Sequence, residues 1–349
     1  MLTGINALTL DVRYGGGESR YLRMVLTKMR QLQPDTQFVI FTDPDNHDAF
    51  KGWDRECIEG AVRFGVFGGS ESQLDRAARR RRVDLVFSSL WAAPSRLSVP
   101  LVLYTLDLRE FEEEYQRENR RTAPNPKLAK RICTAAPAIV TPSEFLQRKF
   151  LELLEIPLNK VIVAPLGVDP AFGQPHNCAI QEPFLLAVGG THPFRNIPRL
   201  RKAFDILKDE IPHNLVVAGA QGKAEPEDWG PRVIRVEACP TTYLAGLYQH
   251  CDVFIQPGIH EGSGITVLEA MRAGVPVVTS RTGGIPEVAG DTPIYFNPES
   301  LSSMVASTRW AIEESPEQRL NRVKYGRQVA AEYTWEKCAW KTLAAFKRT

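Results

Sequence analysis

The sequence predicts an α/β protein made of two successive parallel-sheet domains, and three observations carry the prediction. Short apolar, β-branched runs alternate with stretches of helical periodicity along most of the chain, the pattern of parallel strands joined by crossover helices. The irregular polar stretch GVDPAFGQPHNCAIQEP interrupts this alternation, which then begins a second series. The length, 349 residues, suffices for two domains that each bury a core of their own.

In the first half, residues 37–42, 61–67, 84–88, 100–107, 138–142 and 160–166 read as strands. Helical patterns at 18–32, 73–82 and 144–154 fall between several of them. The last has Ser143 at its N-cap position and Glu144 in its first turn, where a carboxylate suits the helix dipole. The second series has strands at 184–189, 214–219, 232–237, 253–257, 275–280 and 293–296, again with helices between them. After Ser300 the chain reads as helical, and its last segment is long enough to pack back across the first domain. The expected boundaries are therefore 1–168 for the first domain, 169–183 for a linker, 184–333 for the second domain and 334–349 for a returning helix. Two open parallel sheets would present the loops at their carboxyl ends to a central cleft, where ligands bind in this architecture.

Composition narrows the function. A formal net charge of +2 creates no global field that would favour nucleic acid as a partner. The six cysteines are scattered without a CxxC pair, which reads as reduced thiols rather than a disulfide framework or a zinc site. No apolar run reaches the ~18–20 residues of a membrane span. The N-terminus passes from a short apolar stretch into RYGGGE without the regions of a signal peptide, so a cytoplasmic location is expected.

The segment HEGSGITVLEAM, residues 260–271, carries the chemistry. Glu261 and Glu269 stand eight positions apart, Gly262, Ser263 and Gly264 follow the first, and a helical pattern starts at Ile265 and Thr266 after the strand VFIQP. Glycines let backbone approach a ligand closely, and the free N–H groups of a helix start suit a diphosphate. Carboxylates on either side of that anion site would hold the hydroxyls at the two ends of an extended ligand, a sugar at one and a ribose at the other. Along a helix, eight residues would span ~12 Å.

This segment resembles the E-x7-E signature of retaining glycosyltransferases with two Rossmann-like domains, the GT-B class, in the family 4-like group called glycosyl transferases group 1. RYGGGESRYLRMVLTKM looks like that family's glycine-rich first loop and helix, with Gly15, Gly16 and Gly17 lining the donor side. PSEFLQRKF and VAPLGVDP are similar to its segments before the interdomain linker, VVTSRTGGIPEVAG to its GG-x-PEV loop, and EYTWEKCAW to its closing helix. LLAVGGTHPFRNIPRLRKAF looks like the strand and helix that open the second domain, and it places Gly190, Arg195 and Asn196 at the donor phosphates.

By that resemblance Glu261 contacts the donor sugar, Glu269 the ribose, and Arg195 stands where relatives carry a diphosphate-binding Lys. Arg keeps the charge and adds a bidentate geometry. Relatives often have an aromatic residue where this chain has Ser263, and a His–Asp pair where it has Leu106 and Asp107, which leaves Asp107 as the acceptor-side base or orienter. The implied reaction transfers a hexose with retention from a UDP- or GDP-linked donor, with a lean to GDP-mannose, to a saccharide or lipid-linked acceptor. The sugar nucleotide is a substrate, and neither a cofactor nor a metal is expected.

Each residue also has a plainer reading. The two glutamates would serve as helix-surface charges, the glycine run as a strand-to-helix turn, Arg195 as a solvent-facing side chain, and Asp107 as a cap. Asp43-Pro44-Asp45 imitates a metal-binding DxD but reads as a turn. The run Arg79, Arg80, Arg81 and Arg82 is either a solvated helix face or a contact with an anionic membrane surface at the inner face. The competing functions are a nucleotide-sugar epimerase on the same fold and a non-catalytic partner subunit that binds sugar nucleotide or glycan. A phosphorylase would need a cofactor lysine site and a longer chain, and a dehydrogenase would need GxGxxG where this chain has GGGES.

Overall fold

The computed structural model describes residues 1–8, 10, 16–59, 72–119, 122–181, 183–220, 228–237 and 239–349. The strand expected at 61–67 lies outside the described residues, as does Gly15. The chain divides into two compact units, Met1–Leu166 with Trp335–Thr349, and Gly167–Thr334.

In the first unit the described strands are β1 (Leu2–Asn6), β2 (Gln37–Thr42), β3 (Arg55–Cys57), β4 (Leu85–Ser89), β5 (Leu101–Tyr104), β6 (Ile139–Thr141) and β7 (Val161–Val163). They form a parallel sheet in the order β3-β2-β1-β4-β5-β6-β7. The helices are α1 (Gly17–Leu32), α2 (Ser72–Arg81), α3 (Glu113–Glu118), α4 (Pro126–Ala135) and α5 (Glu144–Leu154). Ser143 caps α5 as expected, its hydroxyl accepting from the Leu146 amide at 3.2 Å.

The central strand, β1, was not among the strands expected from sequence. Its run LTGIN holds Gly4 and Asn6, both depleted in strands, and tertiary contacts explain each. A Cβ at Gly4 would come within 2.7 Å of the Phe41 ring on β2, so the glycine is what lets that ring fill the core. Asn6 is buried and donates to Ser88 Oγ and to the Ala92 carbonyl, each at 2.9 Å, fastening the end of β1 to β4 and the loop beyond it.

The second unit has β8 (Phe184–Val188), β9 (Asn214–Ala218), β10 (Val233–Val236), β11 (Val253–Gln256), β12 (Val277–Ser280) and β13 (Ile294–Phe296), parallel in the order β10-β9-β8-β11-β12-β13. Its helices are α6 (Ile197–Leu207), α7 (Thr241–His250), α8 (Ile265–Ala273), α9 (Ile285–Ala289), α10 (Leu301–Glu313) and α11 (Pro316–Ala331). Both faces of the sheet are buried. Phe254 packs in one core layer with Tyr248 and Leu268, whereas its neighbours Val253 and Ile255 pack in the other with Phe204 and Met304. Strands covered on both sides read as continuous apolar runs, which is how they appear in the sequence. Within the stretch read as a linker, Pro170–Gly173 is a 3-10 turn whose buried Phe172 meets Tyr248 edge-on at 5.5 Å, in this unit's core.

The last helix, α12 (Trp335–Phe346), belongs to the first unit. Phe346 packs against Phe87 of β4 with ring centroids 5.3 Å apart, Trp335 lies near Tyr21 of α1, and Glu336 pairs with Lys28. The first unit's core is thus completed by residues that follow the second.

A carboxylate with two partners fastens β11 at its start. Asp252 Oδ2 lies 3.1 Å from His213 Nε2, and Oδ1 lies 3.8 Å from the Arg319 guanidinium. The hydrogen bond with His213 is the main cause that holds the Asp252 carboxyl below its usual pKa. A depressed folded pKa stabilises the fold above the unfolded carboxylate pKa, and the contribution disappears as pH falls through the folded value. The side chain is nearly half exposed, so solvent screening keeps the effect to about 1 kcal/mol or less. Denaturation of Asp252→Asn should show a small loss of stability at pH 7 that shrinks as acid protonates the folded carboxyl. A loss equally large at pH 2 would show that packing, not charge, fastens this strand.

Candidate functional site

The carboxyl end of β11 closes on a buried polar residue, Gln256, after three apolar ones. Its Nε2 donates to Glu261 Oε2 at 3.2 Å and to Thr266 Oγ1 at 3.0 Å, joining the strand end, the loop and the start of α8. Glu261 is buried at 6% exposure, so its charge needs partners. Arg195 Nη1 lies 2.7 Å from Oε2, and the Gly264 amide donates to Oε1 at 3.2 Å. The carboxylate is therefore fixed by one cation and two neutral donors.

Arg195 ends the 3-10 turn Pro193–Arg195, and Asn196 follows in the left-handed region at φ 58°. Asn tolerates that conformation better than most residues, and its Nδ2 bonds the carbonyls of Pro257 and Pro298, each at 3.0 Å. The turn is thereby tied to the loops after β11 and β13. The Arg195 side chain lies over Gly189, where an added Cβ would sit 3.0 Å from Nε. Gly190, at φ 72°, brings the chain so close to Ala220 that a Cβ would stand 2.3 Å from its carbonyl oxygen.

Glu261 precedes α8 rather than sitting on it, so the eight-residue span between the glutamates is a loop followed by a helix. Gly264 caps α8 at φ 69°, with no side chain to offer the first amides; Ser263 Oγ takes the Ile265 amide in a long 3.4 Å bond. Glu269 lies on α8 at 2% exposure, and the Tyr248 hydroxyl donates to its Oε2 at 3.4 Å. The chain after β12 fixes the loop's backbone: the Gly284 amide donates to the Glu261 carbonyl at 2.9 Å. Gly283, at φ 58°, packs so tightly that a Cβ would stand 1.7 Å from the same oxygen.

The structure thus gathers Arg195, Asn196, Glu261, Gly264 and Thr266 about Gln256 in the second unit, where Gly190 packs against Ala220. Gly16, Gly17 and Asp107 belong to the first. An added Cβ at Gly16 or Gly17 would meet open space. Asp107 caps its own turn: Oδ1 accepts from the Arg109 amide at 2.9 Å, and Oδ2 lies 3.8 Å from Arg109 Nη1. Nearby, desolvation raises the carboxyl pKa of Glu18, partly offset by a hydrogen bond from Ser89, and burial likewise raises that of Glu110. Three arginines of the run are paired, Arg79 with Asp75, Arg80 with Glu56 and Arg81 with Asp54. Asp43 forms a turn with Asn46 through reciprocal bonds of 3.0 and 3.2 Å. Among the described residues no helix is long and apolar enough to cross a membrane.

Sequence reasoning missed Gln256 and Gly283. A lone polar residue ending an apolar strand five positions before Glu261 was a usable signal for the first. The second lies in the segment that resembles the GG-x-PEV loop, but its contact with the Glu261 carbonyl, on another strand's loop, is not readable there.

Comparison with known proteins places this geometry. Two family descriptions match in succession, Glycosyltransferase Family 4 over residues 15–172 and Glycosyl transferases group 1 over residues 172–329. The chain belongs to this glycosyltransferase family. The O-antigen chain mannosyltransferase B of Escherichia coli is 26% identical over 233 residues, covering 61% of this chain and 61% of that protein. The chain therefore spans less than two thirds of that relative's length. Among solved structures, sucrose-phosphate synthase from Thermosynechococcus elongatus superposes with a TM-score of 0.77 at 17% identity, covering 99% of this chain and 98% of the other. HepE from Anabaena, solved with UDP and glucose, superposes with a TM-score of 0.72 at 15% identity, covering 99% of each chain. The two parallel sheets are those of the GT-B fold expected from the sequence.

Gly283→Ala should shift the Glu261 loop, because a Cβ 1.7 Å from the Glu261 carbonyl oxygen cannot be accommodated without moving the backbone. Amide exchange at Gly264 and Gly284 should accelerate at least tenfold while the β1–β2 amides of the first unit stay unchanged. Unaltered exchange at both would show that the loop does not depend on this packing.

Proposed function

We propose that the protein is a retaining hexosyltransferase that uses a nucleotide-diphosphate sugar, GDP-mannose before UDP-hexoses, and glycosylates a saccharide or lipid-linked acceptor. The observation that carries this reading is the pairing of Arg195 with the buried Glu261 carboxylate beside the glycine-capped start of α8. A guanidinium has five N–H donors, and Glu261 takes one of them. Arg195 can therefore keep its carboxylate and still present a fork to a diphosphate whose remaining oxygens meet the first amides of α8. Glu261 orients the hexose hydroxyls, and Glu269, beside Tyr248, serves the ribose. The mannosyltransferase relative supports mannose, and the UDP and glucose bound to HepE support a sugar nucleotide.

In the proposed reaction the bond from the anomeric carbon to the diphosphate oxygen breaks and a bond to the acceptor oxygen forms on the same face. The acceptor's proton passes to the leaving diphosphate. Arg195 and the helix start stabilise the charge that develops there, while the remaining residues position the reactants. Asp107 acts as an orienter for the acceptor rather than as the base, since both of its oxygens already face Arg109.

Nucleotide binding and transfer test the reading separately. Saturating GDP or UDP should raise the melting temperature, because a ligand at about 100 times its Kd stabilises by about 2.7 kcal/mol. Glu261→Gln should keep that shift and lose about 10- to 100-fold in kcat/KM, the worth of a charged hydrogen bond of about 1.5–3 kcal/mol. If GDP, UDP and ADP all leave the melting temperature unmoved, the donor site is wrongly placed. Conversion of the sugar nucleotide without acceptor would instead identify an epimerase.

A further inference from the structure

A cavity of about 300 Å³ lies on the second unit between α10, α11 and the turn before β13, and it shares no residue with the Arg195–Glu261 constellation. Two aromatic rings stand in solvent on its lining, Trp310 of α10 at 46% exposure and Tyr325 of α11 at 57%. Beneath them Arg322 is locked in place. Its Nε and Nη2 bond Glu314 Oε1 at 3.0 and 2.9 Å, its Nη1 bonds the Thr292 carbonyl at 2.7 Å, and its Cζ lies 5.1 Å from the Trp310 ring centroid. The Glu314 side chain is fully withdrawn from solvent, yet its Oε2 has no hydrogen-bond partner among the described residues. The buried Thr292 Oγ1 has none either, and both residues line the cavity.

The chemistry of this lining selects a ligand class. A sugar ring has a face of C–H bonds, which packs on an aromatic ring, and an edge of hydroxyls, each both donor and acceptor. Planar groups that present paired donors or acceptors match that edge, and the lining supplies Asp291, Gln318 and Asn321 besides Arg322 and Glu314. Charge argues against a phosphate-bearing ligand: Glu314 neutralises Arg322, and Asp291 adds a further negative charge to the lining. The volume stands at the small end of the ~300–1,000 Å³ typical of ligand pockets, which suits one or two sugar rings rather than a sugar nucleotide.

We propose that this cavity is a second saccharide site, which takes one or two neutral hexose units against Trp310 and Tyr325 and is separate from the site of transfer. On a protein that glycosylates saccharides, it would hold a chain at a point other than its reacting end and raise the local concentration of longer acceptors. Saturation-transfer NMR with methyl α-mannoside, methyl α-glucoside and methyl α-galactoside at millimolar concentration tests it. At least one glycoside should receive saturation on its ring C–H protons, and Tyr325→Ala and Asn321→Ala should each cut the signal to less than half. Both side chains are at the surface of α11, so the fold survives, and the melting-temperature shift with GDP or UDP serves as an independent control on the donor reading. No saturation of any glycoside, or a signal unchanged in both variants, overturns the proposal whatever the nucleotides do.

Discussion

Glu261 stands where it does because the loops after β11 and β12 meet backbone to backbone. The two strands are paired through Gln256 and Thr279, so the chains leaving them run side by side and compete for the same space. Gly283 resolves the competition by having no side chain, and the adjacent Gly284 amide then reaches the Glu261 carbonyl. With that peptide fixed, the carboxylate points back to Gln256, and the chain has only Gly262, Ser263 and Gly264 in which to turn before α8. The entry into α8 follows from this contact, while Asn196 ties the Arg195 turn to the loops after β11 and β13.

The electrostatics depend on it in turn. A carboxylate at 6% exposure is costly unless it is paired, and removing one partner of a buried pair typically costs about 3–5 kcal/mol. Arg195 and Glu261 are therefore a unit, and the half-buried guanidinium explains why the carboxylate can lie below the surface. The helix start tells the same story from the other side. Ser, Thr, Asp or Asn at the cap of α8 would satisfy an amide and add a few tenths of a kcal/mol over glycine, yet the chain has Gly264 in a left-handed turn whose added Cβ would stand 2.6 Å from Val288. The glycine therefore follows from the tight packing of this loop beside the buried carboxylate.

The sequence carried the architecture well wherever burial was two-sided. Runs such as FLLAV and NLVVA could only be covered strands, and Ser143 before an amphipathic stretch marked α5 to the residue. It hid β1, the strand at the centre of the first sheet, because Gly4 and Asn6 answer to Phe41 and Ser88, which lie far along the chain. The site divides in the same way. Glu261 and Gly264 were expected from spacing and residue type and Arg195 from the family resemblance, whereas Gln256 and Gly283 act through contacts between separate strands. Asp107 was visible as a carboxylate near a strand end, but that it caps the turn at Arg109 is a matter of geometry alone. Local pattern thus reveals what a residue is able to do, and neighbours in space decide what it does.

The second unit keeps two kinds of polar surface apart by how it treats arginine. Arg195 faces a single carboxylate, is held by one hydrogen bond to it, and has a buried Nε without a partner among the described residues. Arg322 is consumed by Glu314 and the Thr292 carbonyl, with the Trp310 ring against its flat face. The first guanidinium has donors left for an anion. The second has exchanged them for rigidity, and the hydrogen-bonding capacity that remains around it belongs to amides, carboxylates and a hydroxyl. A diphosphate would be drawn to the first place and repelled by the acidic balance of the second, whereas a neutral ring of hydroxyls gains nothing from a free cation and much from two exposed aromatic faces. On that physical ground the same fold unit can discriminate between the charged and the uncharged parts of glycosyl chemistry without any change of shape.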